Sequence, residues 1–160
     1  MSEETTDPTD AAVTADAAQL LERMPMGALN EKMGVRFLEV SAERIVATMP
    51  VEGNTQPYGL LHGGASVVLA ETLGSTLAAL HAEPLGKLAV GVDINATHHR
   101  SATSGLVTGT ATPVHRGRSM VSVEVVVTDE RDRRVCTSRI TCALISTDQV
   151  QSKFQEPADG

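Results

Sequence analysis

The chain has 160 residues, with 20 acidic against 13 basic side chains and a formal charge of −7. This balance argues against a general nucleic-acid or anionic-membrane surface, and two Phe, one Tyr and no Trp leave no platform for stacking bases. The length predicts one domain with one sizeable core. No apolar run approaches the length of a membrane span and no basic segment leads into an apolar one at the N-terminus, so the expected location is the cytoplasm.

In chain order, the stretch from Met1 to Asp16 is Thr, Ala, Asp and Glu with a lone Pro8, and it has no apolar period. A disordered extension is predicted over 1–16, one domain over 17–147 and a mobile tail over 148–160. Ala17 to Met24 suits a short helix, with Leu20, Leu21 and Met24 as its apolar face and Pro25 ending it. A further turn is predicted over 26–32. Met33–Val40 and Arg44–Val51 read as two strands joined at Ser41–Glu43; in the second, Ile45, Ala47, Met49 and Val51 alternate with partners facing the other way. A polar loop, Glu52–Tyr58, leads to a long helix closed by Pro84 and Gly86.

The remainder reads as strands. Leu88, Val90, Val92, Ile94 and Ala96 are expected on one face of a strand reaching about His99. Thr103–Val114 follows, then Arg118–Thr128 with alternating Val121, Val123, Val125 and Val127. A turn at Asp129–Asp132 leads into Arg134–Ser146, with Cys136, Ile140, Cys142 and Leu144 facing inward. The two cysteines share a face but lie about 20 Å apart along the strand, too far for a disulfide, so reduced buried thiols are expected. Short connections imply an antiparallel sheet. The fold class is therefore α+β: about six strands wrapped around one long helix.

The chain is organised around Gln56–Ser75, QPYGLLHGGASVVLAETLGS. Apolar and small residues recur at three- and four-residue steps from Gly64 to Ala82, predicting a helix buried on most of its circumference. Between His62 and His81 the only ionisable residue is Glu71. A carboxylate there is costly to bury unless paired or functional, and no Lys or Arg lies one turn away. Ser75 is one turn on, positioned to orient that carboxylate.

No Ser, Thr, Asp or Asn precedes Gly63, so side-chain capping is expected to be weak and the first amides open. Gly63 and Gly64 let a ligand atom approach those amides, whose positive helix end suits a polarised carbonyl. Gly63 and Glu71 are about 12 Å apart along one axis at 1.5 Å per residue. They can act on one carbonyl only if two antiparallel helices, one from each subunit, supply them, as in a two-fold dimer.

From Ile94 to Val123 the chain has no acidic residue but carries His98, His99, Arg100, His115, Arg116 and Arg118. Such a patch in an acidic chain suggests either a phosphate-bearing ligand or a set of solvated turn residues. Arg100 and Arg118 lie about 30 Å apart along the hairpin, so one ligand meets both only across subunits. No metal-ligand spacing is present.

The stretches QPYGLLHGGASVVLAETLGS, VGVDINATHHR, PVHRGRS and DERDRRVCTSRITCAL resemble the hotdog-fold acyl-CoA thioesterases of the phenylacetyl-CoA thioesterase-like family. Within it they are most similar to the branches of 1,4-dihydroxy-2-naphthoyl-CoA thioesterases, which serve menaquinone synthesis, and of enterobactin-synthesis proofreading thioesterases. The resemblance covers about residues 30–146. It implies Glu71 as general base or nucleophile and the Gly63 N–H as the group polarising the thioester carbonyl. It also implies Gln56 beside the thioester, His62 at the acyl or thioester region, Ser75 next to Glu71 or the water, and His98 near the ligand. Arg100, Arg118 and Ser119 match positions that hold the phosphates of coenzyme A. The coenzyme is part of the substrate; no separate cofactor and no metal is implied. The implied assembly is a homotetramer, a dimer of dimers with sites across subunits. The alternatives are action on an acyl carrier protein, a hydratase or dehydratase using His62 and Glu71, and a non-catalytic acyl-CoA sensor. Ser101 departs from the proline that often follows the His-His-Arg run.

Overall fold

A computed structural model describes Gln19 and residues 26–148. The predicted extension, most of the predicted helix over 17–24 and the predicted tail lie outside the described residues; Gln19, Thr147 and Asp148 are helical. The elements in order are α1 (Ala28–Met33), β1 (Arg36–Val40), β2 (Ile45–Pro50), α2 (Gly63–Ala82), β3 (Lys87–His98), β4 (Leu106–Arg116), β5 (Met120–Thr128) and β6 (Arg134–Ser146). A 3-10 turn, Glu83–Leu85, follows α2 and ends on Gly86 in the left-handed region.

The six strands form one antiparallel sheet in the order β1-β2-β4-β5-β6-β3, the α+β layout expected from the sequence. Helix α2 packs against β2 through β6. The period-two patterns place their residues as predicted: Ile45, Ala47, Met49 and Val51 are buried, as are Val121, Val123, Val125 and Val127. Cys136 and Cys142 are buried free thiols. From the helix side, Leu69, Leu73 and Leu77 meet them, fully buried. Each such leucine contributes about 1.5–3 kcal/mol of transfer free energy. Helix and sheet approach closely at Gly74, where a Cβ would fall 2.1 Å from Ile140 Cγ2.

Four expectations are corrected. Helix α2 is not buried on most of its circumference: Ala65, Ser66, Leu69, Ala70, Leu73, Gly74, Leu77, Ala78 and Ala82 are buried, while Val67, Val68, Glu71, Thr72, Ser75 and Thr76 are only partly so. The sheet covers one side. The second correction concerns length: Gly63–Leu85 is long and apolar enough, by those measures alone, to cross a membrane. Scattered Ser, Thr and His residues hide the run from inspection, and its buried side is spent on the sheet.

Third, the apolar residues of β3 do not share one face. The register against β6 shifts between Gly91 and Asp93, leaving Val92 as the extra residue of a bulge. Ala89 lies on the helix side before the bulge, Ile94 and Ala96 after it, and Leu88, Val90 and Val92 are exposed. Fourth, some strand starts move. Gly34 and Gly105, with φ of 70° and 74°, turn the chain so that β1 starts at Arg36 and β4 at Leu106.

Candidate active site

The loop before α2 is tied down at several points. The Asn54 side-chain amide donates to the carbonyls of Met33 and Pro50 at 2.8 and 2.9 Å. The His62 N–H donates to Asn54 O at 2.9 Å and the Leu61 N–H to Ala102 O at 2.8 Å. These bonds hold the start of α2 beside the segment that follows β3.

The helix start is capped, contrary to the sequence expectation. His62 is the N-cap residue, and its Nδ1 accepts the Gly64 N–H at 2.8 Å. An imidazole can do this because an unprotonated ring nitrogen is an acceptor, like the Asp or Ser oxygen the sequence lacks. The bond leaves the proton on Nε2, which makes the exposed outer edge of the ring a donor. The capping is selective. The Gly64 amide is taken, and Ala65 and Ser66 donate to His62 O at 2.9 and 3.4 Å. The Gly63 N–H has no hydrogen-bond partner among the described residues.

Over Gly63 lies the imidazole of His98. A Cβ on Gly63 would fall 2.9 Å from His98 Nε2, so only glycine admits the ring here. The Nε2 of His99, next along the chain, lies 2.9 Å from Thr137 Oγ1. A cavity of about 390 Å³ opens at this point. Gln56, Gly63, Ser66 and the run His98–Ser101 supply its polar wall, and Leu60, Leu61, Ala102 and Val135 its apolar one; His99 therefore lines the cavity too, where the sequence reading turned it away. Gln56 Oε1 accepts the Tyr58 N–H, which leaves its NH2 as the free end of the amide. Arg100 makes no ion pair among the described residues.

Glu71 and Ser75 do not line this cavity. Two turns along α2, Glu71 Oε1 accepts the Ser75 hydroxyl at 3.0 Å, the contact expected from their spacing. The carboxylate rests on Gly91 of β3, where a Cβ would come within 3.0 Å of Oε1. Gly91 pairs with Cys142 in the sheet. Burial pushes the Cys142 thiol up in pKa; the Ser75 hydroxyl opposes that and the Glu71 charge adds to it.

The third group, Arg118 and Ser119, sits in the β4–β5 turn, at the opposite end of α2 from Arg100. His81, in the last turn of α2, places Nε2 3.0 Å from Gly117 O. Lys87 Nζ donates to Arg118 O, and the Leu144 N–H to Ser119 O at 2.9 Å. Arg116, counted with the basic patch by sequence, is instead spent on Glu43, in two bonds of 2.7 and 2.9 Å. The Arg116 guanidinium holds the Glu43 carboxyl below its ordinary pKa. Among the described residues no group of three His, Cys, Asp or Glu side chains could hold a metal ion.

One chain thus brings Gln56, Gly63, His98 and Arg100 together, Glu71 with Ser75 elsewhere, and Arg118 with Ser119 at a third place; His62 stands at the helix cap. Sequence reasoning missed Gly91 and Ser66. A glycine inside the run VGVD carried the signal, since an isolated strand glycine marks a bulge or a close approach. Ser66, buried in the first turn and lining the cavity, had no such mark.

A family model described as the thioesterase superfamily matches residues 58–136. A proofreading thioesterase, EntH, of Cronobacter turicensis is 43% identical over 128 residues, 79% of this chain and 93% of that protein. The EntH of Klebsiella pneumoniae is 48% identical over 114 residues, 71% of this chain and 82% of that protein. Among solved structures, a thioesterase from Haemophilus influenzae superposes with a TM-score of 0.72 at 40% identity, covering 80% of this chain and 87% of that one. A variant thioesterase from Pseudomonas aeruginosa gives 0.71 at 33% identity, covering 89% and 96%.

Proposed function

Since the chain belongs to the thioesterase superfamily and is a thioester hydrolase of the hotdog fold, we propose that it hydrolyses an acyl-CoA at a site shared by two subunits. One subunit supplies Gly63, Gln56 and His98, and its partner supplies Glu71 and Ser75. The observation that carries this reading is the separation of the two groups on one chain. An open amide lies in a cavity whose lining holds no carboxylate, and a carboxylate with an oriented oxygen lies about 12 Å along the helix.

Strand β3 offers the means of joining them. It is an edge of the sheet and exposes Leu88, Val90 and Val92, an arrangement that favours pairing with a second strand. Both groups rest on it, Gly63 against His98 and Glu71 against Gly91. Two copies of β3 running antiparallel about an axis near Ile94 and Asn95 would set His98 of one chain opposite Gly91 of the other. Each dimer would then hold two sites.

In such a site the Gly63 N–H, aided by the helix N-terminus and the free NH2 of Gln56, takes up charge developing on the carbonyl oxygen. Glu71 removes a proton from water as its oxygen bonds to the carbonyl carbon. The C–S bond then breaks and the proton passes to the departing thiolate, leaving a free acid and coenzyme A. Ser75 holds the carboxylate in place. Arg100 and the Arg118–Ser119 turn meet the coenzyme phosphates.

The flat face of His98 and the walls from Leu60, Leu61 and Val135 suit a planar, apolar acyl group, and 1,4-dihydroxy-2-naphthoyl-CoA leads the candidates by resemblance. A second reading, release of an acyl group from a carrier protein, is favoured by the similarity to the EntH proofreading thioesterases. A panel of aryl and fatty acyl-CoAs and an aryl-loaded carrier, each read by free-thiol release, tests both. Preference for an aryl-CoA supports the first reading and preference for the loaded carrier the second. Hydrolysis by Glu71→Gln at the parent rate would overturn the mechanism.

A further inference from the structure

The turn between β4 and β5 is held in an unusual way. The Gly117 N–H donates to Met120 O at 2.9 Å and closes it. The next three carbonyls then each receive a donor from a different element: Gly117 O from His81 at the end of α2, Arg118 O from Lys87 at the start of β3, and Ser119 O from the Leu144 N–H of β6. Gly117 itself has no room for a side chain; a Cβ there would lie 2.8 Å from His115 Nε2 and 2.9 Å from Met120 O. Against a carbonyl, His81 Nε2 must carry the proton.

A trans peptide points its N–H away from its C=O. Fixing the carbonyls of Gly117 and Arg118 on donors from the protein body therefore turns the N–H groups of Arg118 and Ser119 the other way. Neither N–H has a partner among the described residues, and Arg118 makes no ion pair there. Two adjacent amides turned outward beside a guanidinium without an ion pair among the described residues offer an anion several donors on one side of the turn.

We propose that His81 and Lys87 are positioning residues that hold this turn in its anion-receiving form and so set affinity for the coenzyme end of the substrate. This rests on the reading that Arg118 and Ser119 meet the coenzyme phosphates. Neither residue touches the reacting atoms, so each acts on KM for substrates that carry the nucleotide and leaves kcat alone.

The test compares an aryl-CoA with the same acyl group on N-acetylcysteamine, which lacks the nucleotide and its phosphates. For His81→Ala, KM for the aryl-CoA is expected to rise about tenfold, with kcat within about twofold and KM for the short thioester unchanged. His81→Gln, whose amide can donate to the same carbonyl, restores most of the loss. Lys87→Met, at a partly exposed position that cannot unfold the core, shifts KM in the same direction by less. Equal losses on both substrates, or no rescue by glutamine, would mean that His81 only stabilises the fold, and the proposal fails. Arg118→Ala separates the two layers. If it raises KM for the aryl-CoA while the His81 and Lys87 variants do not, the clamp is wrong. If Arg118→Ala leaves KM unchanged, the phosphate reading is wrong and the clamp falls with it.

Discussion

The two sides of helix α2 are built from different chemistry. The side on the sheet is Ala65, Leu69, Leu73, Gly74, Leu77 and Ala78, all buried. The side turned away carries Glu71, Thr72, Ser75 and Thr76, all partly exposed. Its polar atoms are bonded within the helix or to α1: Thr72 Oγ1 donates to Asn30 Oδ1 at 2.7 Å, Thr76 Oγ1 to Thr72 O at 2.7 Å, and Ser75 to Glu71. The difference explains how a lone carboxylate survives on a core helix. It sits on the partly exposed side, against the edge strand at Gly91, where its charge is not fully desolvated, and the leucines opposite bear the burden of stability.

Two substitutions should pull these sides apart. Glu71→Gln keeps the shape of the side chain and removes the base. We expect thioester turnover to fall by at least about a hundredfold, while stability stays within about 0.5 kcal/mol of the parent. Leu73→Ala should do the reverse. It leaves a cavity between helix and sheet and should cost about 2–5 kcal/mol in urea unfolding, with kcat per folded molecule unchanged. A Glu71→Gln protein as unstable as Leu73→Ala would mean that the carboxylate is structural and that the division between the sides is false.

The side on the sheet was legible in the sequence and the other only in part. Periods of two and of three to four residues follow from which atoms must leave water, so the valines of β5 and the leucines of α2 announced their positions. The pairing of Ser75 with Glu71 followed from helical spacing alone. What escaped were features made by residues distant in the chain. The bulge at Val92 inverts the faces of β3, and it became visible only once β3 was paired with β6. Capping by His62 was missed because histidine is uncommon there and acts only as its neutral, Nδ1-unprotonated form. The pairing of Arg116 with Glu43 escaped because Glu43 lies far from it in sequence and beside it in the fold.

Gly91 offers a finer cut. It belongs to the sheet but serves the open side, because its missing side chain makes room for the Glu71 carboxylate. In Gly91→Ala the new Cβ would stand 3.0 Å from Oε1, so the carboxylate must give by a few tenths of an ångström. Misplacement by a full ångström can cost about a hundredfold, so a fall in kcat of about tenfold is expected, with thermal stability little changed. A Gly91→Ala protein that loses its melting temperature before its activity would place Gly91 with the core instead.

The smallest effect comes from a carboxylate built the opposite way to Glu71. Asp129, in the β5–β6 turn, accepts the N–H groups of Arg131 and Arg133 at 3.0 Å and the Arg133 Nε–H at 2.9 Å. The Arg133 guanidinium first, and then the two amides, hold its carboxyl down to about 2. A carboxyl lowered by folding stabilises the native state above its ordinary value near 3.8 and loses that contribution as pH falls through about 2. Parent and Asp129→Asn should therefore differ in melting temperature at neutral pH and converge between about pH 4 and 2, by a small amount because the Arg133 end of the pair is exposed to solvent. Hydrolysis at neutral pH should not change. Glu71 has no such cage of donors; removing its charge should be felt in turnover, and removing that of Asp129 only in the acid limb of stability. Loss of turnover in Asp129→Asn would break the contrast, since it would tie the far turn to the chemistry on the helix.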